Sequence, residues 1–143
     1  MTWRESDAAM VDGTARHATV PPEDGSALAL ETTDRLAARR ALSSEEQVNR
    51  AGLLLQLGRP SEALAAYDAL PSSLAGPARA LVDFNRACAL ARLTRNGEAL
   101  DALERAVANG YDAAGALRND PDLQGLRGEE RFQRLLESTQ RAR

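Results

Sequence analysis

The sequence contains no lysine and no isoleucine, and its 143 residues include one histidine, His17, and one cysteine, Cys88. Aromatic residues make up only 3%. With so few aromatic and β-branched residues, a sheet-based core is excluded. Alanine and leucine must fill the interior, and they pack best on helices that approach closely. The expectation is an all-α chain of one compact domain. A lone cysteine excludes an intrachain disulfide and fits a reducing compartment. A lone histidine with no cysteine or second histidine near it in sequence offers neither a metal-ligand set nor a base to activate Cys88. No apolar run approaches the ~20 residues needed to span a bilayer. The opening stretch carries acids and no apolar core of a signal peptide. The cytoplasm is therefore the expected location. Formal net charge is −3 at pH 7, so no basic field exists to hold nucleic acid. The joint absence of Lys and Ile, whose codons are AT-rich, suggests a GC-rich genome.

Residues 1–25 combine Pro21-Pro22, Gly13, Gly25 and scattered charges without an apolar period, and this composition predicts a flexible arm. A leading helix is expected from Ser26 or Thr33 to Leu42. Ser43 and Glu46 then have the spacing of a capping box. Val48, Ala51, Leu54, Leu55 and Leu57 follow one helix face, Gly58-Arg59-Pro60 interrupts it, and Ala63, Leu64, Tyr67 and Leu70 mark a second helix that ends at Pro71.

The pattern then returns. Asn49-Arg50-Ala51 recurs as Asn85-Arg86-Ala87, and Leu57 to Leu64 recurs as Leu93 to Leu100, with Glu62-Ala63-Leu64 matching Glu98-Ala99-Leu100. The offset is 99 − 63 = 36 residues for every pair. A repeat of this period signals stacked helical hairpins, because one hairpin cannot bury its own apolar face. First helices are predicted over 44–57 and 78–93, with second helices over 60–70 and 96–109. Ala51 and Ala87 should meet Ala63 and Ala99 where the two helices of each hairpin cross.

The run Leu57-Gly58-Arg59, Glu62-Ala63-Leu64, Tyr67 resembles the inner turn and second helix of a tetratricopeptide repeat, and Phe84 to Val107 resembles it too, with Thr94 at the turn glycine. The aromatic usual on the first helix is replaced by Gln47 and Asp83. Asp120-Pro121-Asp122-Leu123, Leu126-Arg127, Phe132 and Leu135-Leu136, after Gly110-Tyr111, resemble the closing segment of many bacterial tetratricopeptide proteins. The resemblance covers residues 44 to 140 and implies an α-solenoid with a leading helix. Its repeats lie at about 44–71 and 78–109, within a body of 26–143, and a helical cap spans 110–143.

The function this implies is a non-enzymatic module or scaffold that binds a protein or peptide, with no cofactor. The alternative is a structural subunit that self-associates through an exposed end of the stack. In family members that hold peptide C-termini, Asn and basic residues on the first helices form the clamp. The corresponding candidates are Asn49, Arg50, Asn85, Arg86 and Arg92, and they imply an acidic or carboxylate-ended partner. An Asn amide can bond a peptide backbone, and an Arg fork matches a carboxylate. Other charged motifs have structural readings. Glu45-Glu46 and Glu129-Glu130 sit at expected helix starts, where acids favour the dipole. Asp120 and Asp122 suit a helix cap and lack the spacing of a calcium loop. Cys88 is expected as a packed thiol.

Overall fold

The computed structural model describes residues 25–112 and 114–141. Among them there are only helices: α1 (Ser26–Ala37), α2 (Ser44–Gln56), α3 (Pro60–Asp68), α4 (Gly76–Arg92), α5 (Asn96–Ala108), α6 (Ala114–Asn119), a 3-10 segment Pro121–Leu126, and α7 (Glu130–Arg141). The four central helices fall within two residues of their predicted limits. The leading helix begins at Ser26, after Gly25 in a left-handed conformation, and stops at Ala37 rather than Leu42. The expected arm lies, apart from Gly25, outside the described residues, as does His17. Among the described residues no helix is long and apolar enough to cross a membrane.

Helix limits follow from local chemistry. Ser43 accepts a hydrogen bond from the Glu46 amide at 3.1 Å, and the Ser43 amide donates back to the Glu46 carboxylate at 2.9 Å. This is the capping box expected for α2. Arg40 also reaches Glu46, at 2.7 Å. Its guanidinium, with the Ser43 amide, holds the carboxyl down at about 2. Helices α2, α4 and α5 end alike. The residue after the C-cap is left-handed, at Gly58, Thr94 and Gly110. Amide bonds then run back from Arg59 to Leu54, Arg95 to Leu90 and Tyr111 to Ala106, each 2.9 Å, which satisfies carbonyls the helix leaves open. Arg59 grips Glu62 and Arg95 grips Glu98 with paired bonds of 2.6 to 2.8 Å. The two hairpin turns thus share their side-chain ties as well as their backbone.

Each of α1 to α4 packs on the next in the chain, and α2 also touches α4. Ala51, Ala63, Ala87 and Ala99 are wholly buried, as required where paired helices approach closely. Tyr67 and Leu103 fill equivalent positions, 36 residues apart, and both are buried. The 3-10 segment packs on α4 and α5, and α7 packs on α5 and α6. Leu117, Leu123, Leu126 and Phe132 are completely buried there. Leu135 and Leu136, expected to share this role, are only partly covered. Burial of Phe132 alone is worth about 2 to 3 kcal/mol. Asp120 caps the 3-10 segment by accepting the Asp122 amide at 2.9 Å, with Pro121 in the first turn. Arg131 joins α7 to α5 through Asp101 at 2.6 Å and Glu104 at 2.7 Å. Phe84 stacks on Tyr111 with ring centroids 4.5 Å apart.

Candidate interaction groove

Helices α2 and α4 present one face each to an open groove of about 490 Å³. From α2 come Val48, Asn49, Gly52, Leu53, Leu55 and Gln56; from α4 come Leu81, Asn85 and Arg92. The steps of three and four residues on α2, and of four and seven on α4, are those of one helix face. Leu81 is 40% exposed, unusual for a large apolar side chain in this chain. A Cβ at Gly52 would stand in ordinary contact with the Tyr67 hydroxyl, at 3.8 Å. That hydroxyl is buried without a well-formed hydrogen bond. Burial pushes the phenol up to about 12, and the nearby Asn85 side chain offsets part of this.

Of the five candidates read from the sequence, the structure brings Asn49, Asn85 and Arg92 together in this groove. Arg50 and Arg86 lie elsewhere. Arg50 bonds Asp34 of α1 at 2.7 Å, and Arg86 bonds Asp68 of α3 at 2.8 Å. Each reaches back to the helix before its own, because one residue along a helix turns the side chain by about 100°. Arg50 lines a separate hollow with Asp34, Ala37, Leu42 and Gln47.

Each nitrogen of the Arg92 guanidinium makes one hydrogen bond. Its Nε and Nη2 donate to the two oxygens of Asp122 at 2.8 and 3.0 Å, and its Nη1 donates to the Leu55 carbonyl at 2.7 Å. One guanidinium thereby ties the end of α2, the end of α4 and the closing segment. The bidentate fork with Asp122 raises its pKa further and keeps it charged. This tie was not legible in the sequence, since nothing there brings residues 92 and 122 together. The apolar liners Leu53 and Leu81 were missed for a different reason: they lie beside the core stripe and have the composition of core residues.

Cys88, Asp120 and Asp122 place a sulfur and two carboxylates within 4.8 Å of one another. Their chemistry is that of a packed ion pair. Arg92 already fills Asp122, Asp120 caps the 3-10 segment, and the thiol is buried, which pushes its pKa well above the usual cysteine range. A protonated thiol is a poor metal ligand and a poor nucleophile. The Glu45-Glu46 pair stands at the start of α2, and Glu46 is spent on the cap and on Arg40.

No family model matches the chain, and no solved structure matches it. It is similar to a chloroplastic protein of Arabidopsis thaliana, with 36% identity over 80 residues. That stretch is 55% of this chain and 24% of the plant protein, so the chain spans about a quarter of the length of the relative it matches.

Proposed function

We propose that the protein is a short tetratricopeptide-type stack that holds a segment of another protein in the groove between α2 and α4, and that it does no chemistry of its own. The observation that carries this reading is the placement of Asn49 and Asn85. They are 36 residues apart, at the same phase of consecutive first helices, and both open on one groove. Two amides in such an arrangement can each give and take a hydrogen bond with an extended backbone. The sequential packing of α1 to α5, the shared hairpin turns and the capping contacts of α7 support a solenoid rather than a closed bundle. The cytoplasm suits a chain whose one thiol is buried and unpaired.

The test is a partner captured from the source cell, with affinity then measured against the Asn49→Ala, Asn85→Ala double variant. Binding should fall at least about tenfold with helicity unchanged, as expected for two lost hydrogen bonds of about 1 kcal/mol each. Unchanged affinity with an intact fold refutes the groove. A second reading, self-association through the leading end, is favoured by Leu28 on α1. It is 65% exposed on the first described helix, where a second copy could cover it. Sedimentation of a dimer that Leu28→Glu splits would establish it.

A further inference from the structure

We infer that the groove selects an uncharged, extended segment with apolar side chains, because Asp122 of the closing segment already occupies Arg92, the one charged side chain among the described residues that line it. This rests on the groove reading above and narrows it. The sequence pattern implied a basic clamp for an acidic or carboxylate-ended partner. Two of the three arginines face away and are paired to Asp34 and Asp68. The third has its charge matched by Asp122, which takes Nε and Nη2, while Nη1 donates to the Leu55 carbonyl. An incoming carboxylate would meet the Asp122 charge rather than a free cation. To take the two-toothed fork of Arg92 it would have to displace Asp122 and so break the tie between α4 and the closing segment. What remains open in the groove is neutral: Asn49 and Asn85 for a backbone, and Val48, Leu53 and Leu81 for apolar side chains. Asp122 thus acts as an internal carboxylate that bars the charged class of ligand.

The experiment uses the full chain and an array of random peptides of about ten residues, long enough when extended to exceed a groove two helices wide. The peptides are anchored at their N-termini and made in two forms, C-terminally amidated and free acid. Hits on the wild-type protein should be rich in apolar residues and poor in Asp and Glu. Remade in solution, each should bind equally as amide and as acid, within about twofold, and should change little as salt rises from about 50 to about 500 mM. Asp122→Asn should free Arg92 and give the acid form a gain of about tenfold that salt removes. Acid-rich hits, a strong wild-type preference for free acids, or an unchanged amide-to-acid ratio in Asp122→Asn would overturn the inference while leaving the groove reading intact. If Asp122→Asn fails to fold, the wild-type salt titration decides, and a tenfold loss at high salt overturns it. Hits whose binding ignores Asn49→Ala with Asn85→Ala, or an array without hits, would overturn the groove reading itself and this inference with it.

Discussion

Replacing Thr94 with glycine should stabilise the protein. Thr94 has φ +58°, in the left-handed region, where the equivalent residue of the first hairpin is Gly58 at +75°. The turn demands this conformation, since the Thr94 and Arg95 amides bond back to Ala91 and Leu90 at 3.0 and 2.9 Å. A β-branched side chain held there costs roughly 1 to 2 kcal/mol. Glycine removes that cost but enlarges the freedom of the unfolded chain, which takes back about 0.5 to 1 kcal/mol. The lost contact from the Thr94 hydroxyl to its neighbour's carbonyl is exposed and minor. The net gain is about 0.5 to 1 kcal/mol, which for a body of this size raises the melting temperature by about 2 to 5 °C. Calorimetry and urea titration of Thr94→Gly against wild type measure it. Gly58→Thr supplies the converse and should lose about as much or more. A melting temperature unchanged or lowered in Thr94→Gly, with Gly58→Thr harmless, would refute the strain argument.

Ala99→Arg should unfold the protein or nearly so, at more than about 3 kcal/mol, because a charge would enter the wholly buried crossing of α4 and α5; circular-dichroism melting within a degree of wild type would show the crossing to be tolerant. Acid should destabilise the fold. Glu46, Glu62 and Glu98 are all held below the usual carboxylate range, first of all by hydrogen bonds from Arg40, Arg59 and Arg95. A lowered folded pKa gives stability that is complete above the unfolded value of about 4.3 and lost as pH falls through the folded one. The melting temperature should therefore drop between about pH 5 and pH 2, less steeply in Glu46→Gln, and parallel curves would count against it. Cys88 should resist a thiol reagent in the native state and react at once in urea, since burial disfavours the thiolate; rapid native labelling would mean that α4 opens locally.

The fold was legible wherever a residue's job is the same in both hairpins. Ala51 and Ala87, or Glu62 and Glu98, announce themselves by recurring at 36 residues, and the structure places each pair alike. Thr94 is instructive because its identity points away from a left-handed turn, and only its place in the repeat shows that the conformation is required there. The end of α1 was less legible: Ala38 to Leu42 contains no glycine or proline to stop a helix, and the chain turns where the Leu36 carbonyl takes the Arg39 and Arg40 amides. Arg92 and Asp122 are the harder case, since 30 residues separate them and only the docking of the 3-10 segment on α4 brings them together.

The direction of Arg50 and Arg86 follows from a register that the repeat hides. Their acidic partners, Asp34 and Asp68, differ by 68 − 34 = 34 residues, while the arginines differ by 86 − 50 = 36. At the repeat offset Asp34 would match residue 34 + 36 = 70, which is Leu70, so comparison of the two units pairs an acid with an apolar residue. The connections 38–43 and 69–75 differ by one residue, and the rest of the difference lies in where the paired residues sit within their helices. Both arginines nevertheless meet an aspartate near the end of the preceding helix. Asp34 lies in the last turn of α1 and Asp68 ends α3. Helix α1 therefore stands to α2 as α3 stands to α4: it occupies the place of a second helix, with no described first helix before it. This arrangement explains why the amides rather than the arginines reach the groove. A residue that must bridge to the previous helix is turned away from the surface shared by the two first helices, and its neighbour, about 100° around, is the one left facing it.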